Sequence, residues 1–271
     1  MTTPARNEPP VALRRLLPEA AELTAEELVA ELRPWELATA QRPHVAVNMV
    51  HTADGRAAVD GRTAPISSVA DRQLFHALRT RVDAVLVGAG TLRVERYGRI
   101  VRDAARREQR RLAGLQPDPL AIVVSGSLEL PADLPLLQDP DSRVVVITSS
   151  QDSIAGVVAD VQYMRFADGV DLAAALGRLR RDNRVRSILC EGGPHLNASL
   201  AAAGLIDELF LTTFPQLAGG AGALSIMDDA RLGAPIRLAL LSLCEHAGEL
   251  FARFALEPTA GWPSPAHSAR R

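Results

Sequence analysis

The stretch Asp83-Ala84-Val85-Leu86-Val87-Gly88-Ala89-Gly90-Thr91 decides the fold. Its four consecutive apolar residues, 84–87, read as a strand buried on both faces, the habit of parallel sheets. The glycines end that strand abruptly, and the residues after Thr91 are compatible with a helix. A second copy of the device follows in Ser187-Ile188-Leu189-Cys190-Glu191-Gly192-Gly193-Pro194. Where a buried strand gives way at once to a helix, backbone N–H groups and the positive helix end converge on one spot, which suits an anion. Glycine permits the close approach. Thr91 adds a hydroxyl, and Pro194 falls where a first helical turn tolerates a missing N–H.

Either turn alone also reads as a tight connection without a ligand; two in one sheet favour a dinucleotide. Neither is the Rossmann fingerprint, because Arg93 stands where a third glycine belongs, and neither carries the P-loop lysine.

Outward from these turns the same alternation continues. His44 to Val50 reads as a strand, followed by the turn Ala53-Asp54-Gly55-Arg56. Ser67 or Ser68 caps a helix through Leu74, Leu78 and Arg79. Residues 120–124 and 144–148 are further central strands, and Asp171 to Arg181 forms a helix with Leu172, Leu176 and Leu179 on one face. A helix runs from Leu196 to Ala203. Glu208 to Phe214, Ile236 to Ser242 and Leu250 to Leu256 read as strands joined by loops, hence antiparallel additions at one edge. The expectation is an α/β fold with a mostly parallel central sheet, helices on both faces and antiparallel C-terminal strands.

Residues 1–42 read as an extension. Thr24-Ala25-Glu26-Glu27 is a capping box that starts a short helix ending near Pro34, packed on the outside of the domain. The basic run Arg102 to Arg111 reads as a solvated face. Residues 43–257 form the main domain, and residues 258–271, rich in Pro, Ser and Arg, read as disordered.

Composition narrows the classes. The 271 residues are 47% apolar but only 4% aromatic, so the core is built from Ala, Leu and Val. A formal charge of −2 provides no long-range field for nucleic acid or an anionic membrane. Cys190 and Cys244 have no CxxC spacing and too few histidine neighbours for a zinc site, so they read as reduced core residues rather than metal ligands. No segment reads as a signal peptide or membrane span, which points to a cytoplasmic protein.

Glu191, at the carboxyl end of a buried strand, either caps the following helix or faces substrate as an acceptor or proton donor. Asp54 is by default a turn cap, with a catalytic role as the alternative. His195 reads equally as a cofactor neighbour and as an ordinary first-turn residue. No histidine pairs with a Gly-x-Ser-x-Gly elbow or forms a metal spacing. Hydride transfer needs orientation and a proton source more than a set of reactive side chains, so a sparse site suits a nicotinamide reductase.

In order, Arg42 to Asn48, Asp54-Gly55-Arg56, Ile66-Ser67-Ser68, Asp71-Arg72, Leu78-Arg79 and Asp83 to Thr91 resemble the reductase domain of bacterial bifunctional riboflavin-biosynthesis deaminase/reductases. Val185 to Pro194, Gly204 to Leu209, Pro215 and Gly219-Gly220 extend the resemblance, which spans about Pro43 to Leu256. It implies a dihydrofolate-reductase-like fold, NADPH as hydride donor and a homodimer formed partly by the C-terminal strands. The implied reaction reduces the ribose of 5-amino-6-(5-phosphoribosylamino)uracil to ribityl. Dihydrofolate or another pteridine is the alternative substrate, and a non-catalytic NADP-binding regulator the alternative of another class.

The resemblance also implies site roles. NADPH is lined by Val50, Gly88, Gly90, Thr91, Glu95, Gly192 and the segment from Gly193, Pro194, His195 and Leu196 to Ser199. Apart from the resemblance, Ser125, Ser127 and Thr148 at strand ends could supply hydroxyls to its 2′-phosphate, and ordinary strand termination explains them as well. Arg79, Arg102 and Glu191 meet the substrate. Two departures fall on that side: Arg93 to Arg99 replaces the family's Asp-Asp-Pro pattern, and Asn48 stands where Lys is common. No His-x-Glu or Pro-Cys-x-x-Cys deaminase motif is present.

Overall fold

Strands form where apolar residues run unbroken, and helices where Ser, Thr or Asp precedes an apolar stripe. The computed structural model describes residues 9–220, 224–228 and 232–257. In chain order it holds β1 (Leu13–Leu17), β2 (Ala21–Leu23), α1 (Ala25–Ala30), β3 (His44–Thr52), α2 (Val69–Leu78), β4 (Ala84–Gly88), α3 (Ala89–Glu95) and α4 (Ala104–Leu112). There follow β5 (Leu120–Val124), β6 (Arg143–Thr148), β7 (Asp160–Arg165), α5 (Leu172–Asp182), β8 (Ser187–Cys190), α6 (Pro194–Ala202), β9 (Glu208–Phe214), β10 (Arg237–His246) and β11 (Glu249–Glu257).

All the strands join one sheet in the order β2-β1-β10-β11-β9-β3-β8-β4-β5-β6-β7. From β9 to β7 every neighbouring pair is parallel. From β9 outward through β11, β10, β1 and β2 the pairs are antiparallel. Successive strand residues point to opposite faces, so Val85 and Val87 pack with α2 residues such as Leu74 and Leu78, while Ala84 and Leu86 pack with Leu176, Leu179 and Leu200 of α5 and α6. The mostly parallel sheet with helices on both faces and antiparallel C-terminal strands agrees with the sequence reading.

Several details differ. β9 follows the crossover helix α6 and therefore runs parallel to β3; the antiparallel part begins at β11. The polar edge strand β7 and the short β1 and β2 carry too few apolar residues to announce themselves. The N-terminal extension does form the capped helix, with Thr24 and Glu27 bonded reciprocally. It is not merely an outer layer, however. β1 pairs with β10, and Leu13, Ala25 and Val29 are buried in the core.

The basic run also needs correction, since Arg110 within α4 is fully buried. It donates to the carbonyl oxygens of Arg79 (2.5 Å), Val82 (2.8 Å) and Gln116 (2.8 Å), tying the exit of α2 to the loop before β5. Burial pulls its guanidinium pKa down to about 10. The disorder expected at 258–271 lies outside the described residues. No helix among the described residues is long and apolar enough to cross a membrane.

Candidate active site

The two glycine turns meet. β4 and β8 are adjacent parallel strands, so their carboxyl ends lie side by side, and the Gly88 N–H donates to the Gly192 carbonyl at 2.7 Å. A Cβ at Gly88 would lie 3.3 Å from the Gly193 backbone nitrogen and 3.8 Å from Cβ of Leu196. A Cβ at Gly193 would lie 2.6 Å from the Thr91 hydroxyl oxygen. Gly192 has φ +85, a conformation that side chains other than glycine rarely adopt, and Met49 of β3 packs beneath it. The Gly192–Gly193 peptide is cis.

The helices that begin here differ from the others. α1, α2, α4 and α5 are capped by the side chains of Thr24, Ser68, Asp103 and Asp171. α3 and α6 start at Gly88 and Gly193 with no side-chain cap. First-turn N–H groups that no side chain satisfies remain available to an acidic ligand. With two such starts in contact, the arrangement fits a pyrophosphate.

The cofactor-side expectations gather around this cradle. Gly88, Gly90, Thr91, Gly192, Gly193, Pro194 and Leu196 form or adjoin it. Ser125 follows β5 directly beside Gly88, since Gly88 pairs with Val124. Val50 lies three residues beyond Val47, the partner of Cys190, and so at the level of the second turn. His195 is exposed on the first turn of α6. Glu95 instead accepts from the Thr63 hydroxyl (3.0 Å) and N–H (3.3 Å), which ties α3 to the loop after β3.

On the substrate side, Arg79 and Glu191 are paired with each other. Arg79 Nε donates to Glu191 Oε1 at 2.7 Å and Nη2 to Oε2 at 2.8 Å. The side chains are 8% and 1% exposed, so this is a buried, bidentate ion pair. Arg79 Nη1 donates to the Ile100 carbonyl at 2.9 Å. Its plane stacks against Phe75 (4.1 Å) and Tyr97 (5.4 Å). Burial alone would pull its pKa down, but the Glu191 charge and hydrogen bonds outweigh that and raise it. With Arg79 donating to both of its oxygens and held in turn by Ile100, the carboxylate is fixed in place as an acceptor. Arg102 is exposed, with its guanidinium against Gly98.

Asp54 stands apart. It accepts from the Thr52 hydroxyl (2.5 Å) and the N–H groups of Gly219 (2.7 Å) and Ala218 (3.2 Å), clamping the turn after β3 onto the loop after β9. These donors, the Thr52 hydroxyl first, lower its pKa to about 2. A group so acidic donates no proton at neutral pH.

Sequence reasoning missed Tyr97 and Met49 in this region, and took in Asn197 only as part of the segment from Gly193 to Ser199. Tyr97 donates to Glu191 Oε2 at 2.8 Å. Met49 underlies Gly192. Asn197, fully buried, accepts from the Cys190 thiol (3.5 Å) and donates to the Ile226 carbonyl (2.9 Å), fixing α6. A polar residue at an inward helical position was the available signal for Asn197; nothing local marks the other two. Among the described residues no cluster of His, Cys, Asp and Glu could hold a metal ion.

Residues 43–250, most of the chain, match the RibD C-terminal domain. The chain belongs to the RibD C-terminal domain family. Two relatives are named 2,5-diamino-6-ribosylamino-4(3H)-pyrimidinone 5′-phosphate reductase. That of Archaeoglobus fulgidus is 29% identical over 215 residues, covering 78% of this chain and 96% of the relative. That of Methanothermobacter thermautotrophicus is 28% identical over 191 residues, covering 69% and 84%. A pyrimidine reductase-like protein of Corynebacterium diphtheriae shares the fold, with a TM-score of 0.71 at 24% identity, covering 87% of this chain and all of that one. The relatives are named as reductases of a small molecule, which implies a nicotinamide cofactor. Residues 9–42 precede the matched segment.

Proposed function

We propose that the chain is an NADPH-dependent reductase of a pyrimidine ribosylamino phosphate, as the names of its relatives indicate for them, in riboflavin biosynthesis. The observation that carries this reading is the pair of touching, uncapped helix starts at Gly88 and Gly193, which suits the pyrophosphate of a dinucleotide. The bound dinucleotide supplies hydride. The chain's residues bind and orient: Thr91 and the first turn of α6 hold phosphate, and Ser125 faces the 2′-phosphate side.

Arg102 supplies an exposed guanidinium for the substrate phosphate. The field there is positive. His76 on α2 has its pKa lowered to about 3, by burial first and then by the charges of Arg79, Arg106, Arg102 and Arg72. Glu191 serves as an acceptor held by Arg79, not as the proton donor, and Asp54 as a clamp on the loop after β9. We place the protein in the cytoplasm as a homodimer, with the exposed Leu238 and Leu240 of β10 at the contact.

The test follows loss of reduced-nicotinamide absorbance with the ribosylamino pyrimidine phosphate, its deaminated uracil counterpart and dihydrofolate side by side, each with NADPH and with NADH. Turnover of either pyrimidine with NADPH well above NADH is expected. Turnover confined to dihydrofolate would transfer the assignment to a pteridine. No oxidation with any of the three would leave a binding protein.

A further inference from the structure

Glu191 directly follows β8, and its carboxylate is already held by three hydrogen bonds. A carboxylate has about four acceptor positions. Arg79 takes one on Oε1 and one on Oε2, and the Tyr97 hydroxyl takes the second on Oε2. Among the described residues no donor takes the second position on Oε1. Arg79 cannot replace Tyr97, because Nη1 is committed to Ile100 and the guanidinium plane is stacked against Phe75 and Tyr97.

The chain is built to bring the phenol there. Arg96, at the end of α3, takes a left-handed conformation (φ 46, ψ 58), which turns the backbone sharply. The Arg96 guanidinium holds Asp133 at 3.1 Å, and the Tyr97 carbonyl accepts from the Leu136 N–H at 2.9 Å. The turn sends the Tyr97 ring back over Arg79.

From this geometry we propose that Tyr97 is a positioning residue for the reduction, acting through Glu191 to set the direction in which Oε1 accepts from the substrate. The proposal rests on the reductase reading above. The substrate group it implies is an N–H or hydroxyl donor, as carried by an aminopyrimidine or its ribosylamino nitrogen. Burial, together with the adjacent Glu191 charge, keeps the phenol protonated and donating.

Tyr97→Phe keeps the ring packing and removes only the donor. The expected result is a rise of about fivefold or more in substrate KM, the worth of one such hydrogen bond, with kcat within about twofold and NADPH affinity by calorimetry unchanged. Added to Glu191→Gln, Tyr97→Phe should then change nothing further. Should Glu191→Gln fail to fold, Tyr97→Phe is assayed with a substrate analogue lacking the donor N–H or hydroxyl. Its KM for that analogue should match the parent's, and a KM raised for the analogue as well overturns the proposal.

An unchanged substrate KM overturns it too. So does a parallel loss of NADPH affinity, which would mark general loosening of the turn. Wild-type turnover with an unaltered Tyr97→Phe variant removes the role of Tyr97 alone. Absence of wild-type turnover removes the reductase reading as well.

Discussion

At the residue scale, the site depends on atoms that are absent as much as on those present. Gly193 carries no Cβ because one would intrude on the Thr91 hydroxyl, 2.6 Å away, and Gly88 none because of the Gly193 backbone. Gly193→Ala should push Thr91 aside and weaken NADPH binding about tenfold by titration calorimetry, the order expected when one charge-assisted hydrogen bond is lost. Thr91→Ala in the same protein should relieve the overlap and leave affinity no worse than that of Thr91→Ala alone. Equal affinity of Gly193→Ala and the parent would show that the turn has slack.

At the element scale, each strand or helix is placed by a few partners outside its own sequence. β1 is the clearest case. It sits on the outer edge of β10, and Leu13, only 1% exposed, is its anchor in the core shared with α1 and α2. Leu13→Ala should cost about 2–4 kcal/mol in urea unfolding. A cost within about 0.5 kcal/mol would mean that the extension folds onto the domain without contributing to its stability. The same extension braces α2 through Arg81, whose Nη2 donates to the Leu32 carbonyl at 3.0 Å and which stacks on Trp35. Residues outside the matched segment thereby support the helix that ends in Arg79.

At the scale of the whole molecule, the parallel half of the sheet carries the chemistry and the antiparallel half presents leucines. Leu238, Leu240 and Leu241 of β10 are each 40% exposed or more. A run of exposed apolar side chains of this kind is where we propose that two copies meet. Leu238→Lys with Leu240→Lys is expected to convert a dimer to monomer in light scattering, with the circular dichroism spectrum unchanged. A wild-type protein that scatters as a monomer would refute the dimer directly.

Much was legible in the sequence because it was written locally. Buried parallel strands need unbroken apolar runs, caps need Ser, Thr or Asp at fixed places, and close backbone approach needs glycine. So β3 to β6, β8, α2, α5 and the two glycine turns could be located from residue order alone. Their function could be read as far as an anion cradle. Tertiary structure alone decided which partners those groups took. Glu191 could be placed at a strand end, but its pairing with Arg79 and Tyr97 joins positions about a hundred residues apart in sequence, and no local pattern encodes such contacts. Likewise Arg110 looks solvated in a basic run until folding brings three carbonyl groups to it, and β1 looks like a tail until β10 offers an edge. Periodicity and capping act within a few residues, whereas satisfying a buried charge or a sheet edge depends on whatever the fold brings alongside.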